Sequence, residues 1–195
     1  MVVVTFSVRL IRKKMKIPIK KLKSIMLYFC TYTDPKFLGK VKLMKLFYFA
    51  DFMHLKQYGL PITCDTYVNL EHGPIPSAVK NLVDTASDDI DNSELADTIT
   101  IERPEGIDMY RIIGLRKFNE TDAKMFSKAE LETLKRVCIR FGNKKTKDIE
   151  DASHRESAWQ RTNLLDTIPY SLASGDEDCQ VSKEEIELLD QIICH

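Results

Sequence analysis

The chain has 195 residues, 44% of them hydrophobic and 30% charged, with a formal net charge of zero. This length supports one domain with a substantial core and is short for two, and the composition is ordinary for a soluble globular protein. No apolar run approaches the roughly 20 residues that a membrane-spanning helix needs, which argues against an integral membrane protein.

The cysteines are odd in number and widely scattered. No C-x-x-C pair occurs, so the sequence indicates neither a disulfide framework nor a zinc ribbon. We expect buried free thiols in a reducing cytoplasm at all five positions, Cys30, Cys64, Cys138, Cys179 and Cys194.

The zero net charge hides an asymmetry between the two ends of the chain. Residues 1–56 carry 13 Lys and Arg against 2 acidic residues, and the remainder carries 16 basic against 27 acidic residues. Three explanations fit a basic first third: it binds nucleic acid, it binds an acidic partner protein, or it faces the acidic remainder of its own fold. The charges alone leave all three open.

The N-terminus begins with an apolar run that a basic cluster follows instead of precedes. This order is wrong for a secretory signal. Two interpretations stay open: Met15 is the physiological start, or residues 1–14 form a loosely held edge strand. We therefore treat residues 1–18 as an N-terminal extension and residues 19–195 as a single domain.

Two helices open this domain. Residues 19–30 have the spacing of an amphipathic helix, and residues 41–58 are apolar at most positions. The second helix carries too many large apolar side chains for one face, so we expect it to be packed on several sides at the centre of the fold. The one stripe of it that reaches water is predicted to consist of Lys42, Lys45, Lys56 and Phe49.

The middle of the chain combines short extended pieces with a further helix. A brief extended piece over 66–68 precedes a rigid elbow at 72–76, because the residue before each of the two prolines in the elbow is pushed out of the α region. A helix follows over 76–86. Alternation of polar and apolar residues over 98–101 and 109–113, with turn chemistry between them, predicts a β-hairpin.

Two helix starts near the C-terminus have the same signature, a serine N-cap followed three residues later by a glutamate. They begin at Ser127 and Ser182. Between them the patterns predict the rest of the first helix to Phe141, a short helix over 146–152, a kinked segment over 153–159 and an exposed acidic loop over 172–178. The whole indicates a mainly α fold with a small β-hairpin or sheet (α+β), a single-domain helical bundle around a buried central helix.

The sequence contains none of the catalytic or nucleotide-binding motifs considered below. The seven glycines form neither a dinucleotide-binding nor a P-loop pattern, and neither H-E-x-x-H nor G-x-S-x-G occurs. His54, His72, His154 and Asp51 could gather at a metal site, but only Asp51 and His54 lie within one helical turn of each other. We expect hydrogen-bonded structural histidines, no metal, no cofactor and no enzymatic activity.

Nucleic-acid binding is a less favoured alternative. Aromatic residues are interleaved in the basic first third, which suits phosphate contact, but no helix-turn-helix with a polar recognition helix is visible. A protein interface fits better, because the chain combines aromatics beside charges, a rigid Gly-Pro-x-Pro elbow and a lone tryptophan in a polar segment. Composition does not name the partner.

Four motifs in series resemble a known family. They are Lys42-Leu43-x-Lys45-Leu46-x-Tyr48-x-Ala50, Gly59-x-Pro61-Ile62, Gly73-Pro74-Ile75 and Ser153-His154-Arg155-Glu156-Ser157-Ala158-Trp159. Their order and separations are similar to those of the Panacea-domain family of SocA-like antitoxins and phage-associated GepA proteins. One difference is local: relatives often carry W-K-Y before the Gly-Pro pair, where this chain has Leu70-Glu71-His72.

The resemblance implies a cytoplasmic antitoxin that binds a protein toxin encoded nearby. Such an antitoxin either masks the toxin or delivers it to an ATP-dependent protease; the alternative is a phage- or mobile-element-associated regulator that binds nucleic acid. The resemblance also implies two groups of residues. The central helix would be organised by Lys42, Lys45, Leu46, Tyr48 and Ala50, and the surface around it would be shaped by His54, Gly73, Pro74, His154 and Trp159.

Overall fold

The computed structural model of the chain describes residues 17–106, 110–189 and 191. Its helices are α1 (Ile19–Tyr32), α2 (Lys40–Tyr58), α3 (Ser77–Asp88), α4 (Glu120–Ala123), α5 (Lys128–Phe141), α6 (Thr146–Ser153), α7 (Ser157–Gln160) and α8 (Lys183–Leu189), with a 3-10 helix over Tyr170–Gly175. Its strands are β1 (Tyr67–Leu70), β2 (Gly73–Pro76), β3 (Ile99–Glu102), β4 (Arg111–Gly114) and β5 (Thr167–Ile168). The predictions for residues 1–14 and Met15 lie outside the described residues.

Helix α2 is the centre of the fold, as the sequence predicts. Every residue from Lys42 to Lys56 is buried, and α5, α6, β2 and the 3-10 helix all pack against it. The helix ends at Gly59, whose left-handed φ of 80° is that of a glycine just past a helix end. The fold is therefore mainly α with a small antiparallel sheet around a buried central helix. None of the described helices is long and apolar enough to cross a membrane.

The predicted water-facing stripe of α2 is wrong. Lys42, Lys45 and Phe49 have no exposed surface, and Lys56 is 2% exposed. The lysines are tolerated inside because each ammonium meets oxygen atoms of other elements. Phe49 is covered by Phe141 of α5, with ring centroids 4.4 Å apart.

The elbow at 72–76 is part of a sheet. Residues Gly73–Pro76 pair with β1 in antiparallel register, and β5, which the sequence did not predict, pairs with the other side of β1. Strand β2 lies at the edge of this three-stranded sheet, so no described strand pairs with its outer side. The missing N–H groups of its two prolines therefore cost no hydrogen bond there. The predicted hairpin over 98–101 and 109–113 forms as β3 and β4, with bounds shifted by one or two residues.

Both predicted serine caps are confirmed. The Ser127 hydroxyl accepts from Glu130 N, and the Glu130 carboxylate accepts from Ser127 N; Ser182 and Glu185 repeat the arrangement. The predicted acidic loop over 172–178 is only partly correct, because a 3-10 helix continues to Gly175. Ala173 of the 3-10 helix is buried, and Asp176 and Asp178, which follow the helix, pair with Lys56 of α2.

The basic first third faces the acidic remainder of the fold over the described residues. Apart from the buried lysines of α2, three lysines form ion pairs with acidic residues further along the chain: Lys21 with Glu130, Lys23 with Asp97 and Lys40 with Asp84. The charge asymmetry left three explanations open. Among the described residues, most lysines of the first third are buried or paired within the protein, which favours the third explanation.

The cysteines of the described residues are free thiols, as expected. They are less buried than expected, however, since Cys30, Cys64, Cys138 and Cys179 are all partly exposed. Burial of the sulfur atoms still raises the pKa of Cys30 and of Cys138 to about 12. These two thiols are therefore protonated and unreactive near neutral pH.

Candidate partner-binding site

Lys42 connects the start of α2 to the loop that follows α5. Its ammonium donates to the carbonyl oxygens of Gly142 at 2.9 Å and Lys144 at 2.6 Å. Burial lowers the pKa of Lys42 to about 8, because desolvation penalises the charged form. This motif lysine lies away from the surface and joins two elements of the core.

Lys45 points from α2 to the Gly73–Pro74 pair of β2. Its ammonium donates to the carbonyl oxygen of Pro74 at 2.8 Å, and it forms no ion pair with any carboxylate of the described residues. Burial lowers the pKa of Lys45 to about 7, with a weak opposing effect from Glu150. The first and third sequence motifs therefore meet at a buried lysine whose charged form is disfavoured by burial.

Gly73 lies on top of this lysine, and its conformation requires glycine. Its φ is +91°, and a Cβ at this position would lie 2.7 Å from Ser153 Oγ, 3.0 Å from Lys45 Nζ and 3.1 Å from His154 Nε2. Real Cβ atoms essentially never come within 3.0 Å of a neighbour, so a larger residue would displace the Ser153 hydroxyl and crowd Lys45 and His154. The fourth motif thereby reaches the same point as the first and third.

His154 and Trp159 form the outer part of the cluster. Their rings stack with centroids 4.1 Å apart and planes inclined by 20°, and both side chains are partly exposed. His154 Nε2 and Trp159 Nε1 are nevertheless buried atoms, and neither has a hydrogen-bond partner in the part of the chain that the structure describes. Burial lowers the pKa of His154, so the ring is neutral at neutral pH.

The family described as antitoxin SocA-like, Panacea domain, matches residues 43–160, more than half of the chain. The chain belongs to this family. No curated protein and no solved structure matches it. All members of the cluster, from Lys45 to Trp159, fall inside the matched Panacea domain, and Lys42 lies one residue before it.

Glu156, in the Ser153–Trp159 segment, forms an ion pair with Lys56, a second buried lysine of the Panacea domain. Lys56 Nζ lies 2.7 Å from Glu156, 2.7 Å from Asp178 and 3.4 Å from Asp176. Burial alone would lower the pKa of Lys56, but the three carboxylates raise it above its usual value. Burial raises the pKa of Glu156 to about 7, against the attraction of Lys56. This network anchors α7 and the 3-10 helix to the end of α2.

Asp51, a candidate metal ligand in the sequence, is the centre of a buried hydrogen-bond cluster. Its carboxylate accepts hydrogen bonds from the backbone of Ile62 and Thr63 and from the hydroxyls of Thr63, Tyr67 and Tyr170. Burial raises the pKa of Asp51 to about 6, while hydrogen bonds from Thr63 and Tyr67 favour the charged form. The sequence did contain a sign of this cluster, a lone carboxylate in an apolar helix. Such a carboxylate, once buried, needs hydrogen-bond donors from other parts of the chain.

Besides Lys42, two predicted site residues lie apart from the cluster. Tyr48 is fully buried against Phe52 and Tyr67, and its hydroxyl has no partner among the described residues. His54 Nδ1 lies 2.9 Å from Thr133 Oγ1 of α5, and burial lowers its pKa to about 4. Over the described ranges, no three His, Cys, Asp or Glu side chains come close enough to hold a metal ion.

The structure thus separates the predicted residues into two groups. Lys45, Gly73, Pro74, His154 and Trp159 come together, whereas Lys42, Tyr48 and His54 hold other parts of the core. His72, exposed beside the cluster, has its Nδ1 3.0 Å from Glu150 Oε1. The geometry offers a rigid, partly apolar surface with an aromatic ring pair.

Proposed function

We propose that this Panacea-domain protein neutralises a protein toxin by binding it directly, and that the surface around His154 and Trp159 belongs to the contact. The observation that carries the proposal is the convergence of three separate sequence motifs at Gly73. Membership of a SocA-like antitoxin family supports a protein toxin as the class of partner. No bond is made or broken in this function.

The buried members of the cluster support the partly exposed ones. Lys45 and Gly73 lie inside, next to His154, on which Trp159 stacks. A large aromatic side chain that is already held rigidly loses little conformational freedom when a partner covers it. Tryptophan in such a position is a common anchor of protein interfaces.

Nucleic-acid binding, the alternative function, has less support. Among the described residues, most lysines of the first third are either buried in α2 or paired with acidic side chains of the same protein. Affinity for nucleic acid depends on lysines and arginines that are free to contact phosphates. Few such groups remain in α1 and α2.

Two mechanisms of neutralisation agree with direct binding. Masking requires only that the complex covers the working surface of the toxin, and delivery to an ATP-dependent protease requires that the bound toxin is degraded. The two differ in the fate of the toxin, because a masked toxin persists in the complex and a delivered toxin disappears. A host strain without the protease separates them, since only delivery fails there.

The experiment is co-expression of this protein with growth-inhibiting products of genes next to its own. We expect the wild-type protein to restore growth and to co-purify with one of these products. Trp159→Ala should weaken the complex at least tenfold, because it removes the exposed ring of the stack. Tyr32→Ala is the matched control, since Tyr32 is an exposed aromatic residue of α1, and should bind as the wild type does.

Two results would count against the proposal. Absence of growth rescue together with absence of a complex with any neighbouring gene product would reject toxin neutralisation. Rescue and affinity unchanged in Trp159→Ala would reject the placement of the contact at the stacked rings and leave neutralisation through another surface.

A further inference from the structure

A cavity of about 590 Å³ lies between the start of α1, the turn that follows α2 and the start of α5. Small-molecule sites in proteins have volumes of about 300–1,000 Å³, so the cavity is large enough for a ligand of ordinary size. Most of its wall is apolar and comes from the residues before α1 and from the turn: Ile17, Pro18, Leu60, Pro61 and Ile62.

The cavity uses parts of the family motifs that the proposed contact surface leaves unused. Pro61 and Ile62 belong to the second motif, and His54, a predicted site residue, also lines the cavity. His54 comes nine residues after Lys45 on α2, which is about 14 Å along the helix axis. The cavity and the Gly73 cluster therefore lie toward different ends of the central helix.

His54 supplies a hydrogen-bond donor to the cavity wall. Its side chain is 6% exposed, and its Nδ1 lies 2.9 Å from the hydroxyl of Thr133. This hydroxyl has no other hydrogen-bond partner among the described residues and is itself buried. A buried hydroxyl that donates to nothing is costly, so Thr133 donates to Nδ1 and the imidazole proton lies on Nε2. The described residues supply no acceptor for this Nε2–H.

The charged groups that line the cavity neutralise each other. Lys21 of α1 forms an ion pair with Glu130 of α5, and both side chains are mostly buried. Burial lowers the pKa of His54 to about 4, so its ring is neutral at neutral pH. A charged ligand would find no free countercharge among these groups, and an uncompensated charge in an apolar surrounding is costly. The lining therefore favours a neutral ligand.

We infer that this cavity binds a small, neutral and mostly apolar molecule, one oxygen of which accepts a hydrogen bond from His54 Nε2. The apolar wall provides affinity through burial, and the single donor fixes the orientation of the ligand, as in most small-molecule sites. The residues that line the cavity differ from those of the Gly73 cluster, so the inference does not depend on the proposed contact with a toxin.

The test titrates the full chain with 4-phenylbutan-2-one, a neutral molecule with one carbonyl oxygen. Butylbenzene, which has the same carbon skeleton without the oxygen, is the matched control ligand. The backbone amide NMR signals of Thr63 and Cys64, which line the cavity, report binding. We expect 4-phenylbutan-2-one to shift these signals with a Kd of about 1 mM or lower, as a small fragment can reach.

His54→Phe keeps an aromatic ring and removes the Nε2–H donor. It should weaken the binding of 4-phenylbutan-2-one about fivefold or more, because the carbonyl oxygen loses its partner. The binding of butylbenzene should not weaken, since butylbenzene has no oxygen to accept from Nε2. The comparison is made for each ligand between the two proteins, so that the different hydrophobicities of the ligands cancel.

Leu60→Trp tests the location of the site without removing a buried hydrogen bond. Leu60 lines the cavity and is 37% exposed, so a larger side chain has room to reach solvent while it narrows the opening. This variant should weaken the binding of both molecules at least tenfold. Leu164→Trp is the matched control, because Leu164 is 61% exposed in the loop after α7, and should bind both as the wild type does.

Four results would overturn the inference and leave toxin neutralisation to its own test. The first is no change of the Thr63 and Cys64 signals in the wild-type chain with either molecule. The second is equal weakening of both molecules by His54→Phe, and the third is unchanged binding in Leu60→Trp. The fourth is loss of toxin binding in Leu60→Trp while neither molecule binds the wild type, which would assign the cavity to the protein contact.

Discussion

Two buried charges lie six residues apart on α2 and have opposite surroundings. The carboxylate of Asp51 accepts five hydrogen bonds, all from Ile62, Thr63, Tyr67 and Tyr170. The ammonium of Lys45 donates to one carbonyl oxygen in the described structure, that of Pro74, and the adjacent His154 and Trp159 each keep an unpaired buried nitrogen.

The two clusters differ in how completely their buried polar groups are paired. Buried polar groups are normally paired, since an unpaired one costs about 1–3 kcal/mol of stability. The Asp51 cluster follows this rule, and its role is to hold the turn after α2 against β1 and the 3-10 helix. In the Gly73 cluster, His154 Nε2 and Trp159 Nε1 depart from this rule among the described residues, as the hydroxyl of the buried Tyr48 does elsewhere in the core.

The largest effect is expected at the fully paired cluster. Asp51→Ala removes the acceptor of five donors, several of them on fully buried groups, and should lower the free energy of unfolding by about 4 kcal/mol. Asp51→Asn keeps one acceptor oxygen and should lose less. Urea denaturation measures both; a loss below about 1 kcal/mol for Asp51→Ala would show that the cluster contributes little to stability.

Gly73→Ala should lower the free energy of unfolding by about 3 kcal/mol, because left-handed strain is added to steric overlap with Ser153, Lys45 and His154. Gly106→Ala is the matched control. Gly106 has a φ of +73° with no atom of the described residues within 4 Å of a Cβ, so the expected loss is the strain of about 1 kcal/mol. Equal losses in the two variants would show that the Gly73 cluster has room for a methyl group.

Lys56→Met tests a buried lysine that has carboxylate partners. Removing the ammonium leaves Glu156 and Asp176 close together without a countercharge, so the free energy of unfolding at neutral pH should fall by about 2 kcal/mol. Protonation of Glu156, whose pKa burial raises to about 7, should restore part of this loss at pH 5. Denaturation at both pH values provides the measurement, and a loss independent of pH would contradict the assignment of the network.

Lys45→Met should have the smallest effect, below about 1 kcal/mol at pH 7, because no carboxylate loses its partner. The pH dependence is more informative. The pKa of Lys45 falls from 10.5 to about 7 on folding, so the unfolded chain binds more protons between these values and this group makes stability rise with pH there. Lys45→Met should lose that rise between pH 7 and 10. An unchanged pH profile would mean that Lys45 keeps its ordinary pKa in the folded protein.

The central part of the fold was predictable from sequence because its signals are local. The run of α2 carries large apolar side chains on several sides, and the caps at Ser127 and Ser182 use residues only three positions apart. The strand β5, with two residues, has no local signal. It forms because the β1 edge is present to pair with it.

The buried lysines could not be predicted because their partners are distant in sequence. Lys45 meets Pro74, Lys42 meets Gly142 and Lys56 meets Asp178. A lysine between apolar residues is normally interpreted as the solvent-facing stripe of a helix. The left-handed conformation of Leu165 could not be predicted for a related reason. No glycine marks its turn, and its backbone N–H donates to the carbonyl oxygen of Asn69, which is distant in sequence.

The most direct test of the account is the affinity between the purified full chain and the toxin encoded next to it, measured by isothermal titration calorimetry for the wild type and for Trp159→Ala. We expect a stoichiometric complex that Trp159→Ala weakens at least tenfold, with Tyr32→Ala unchanged. The contradicting result is no measurable heat of binding between the wild-type chain and any growth-inhibiting neighbour.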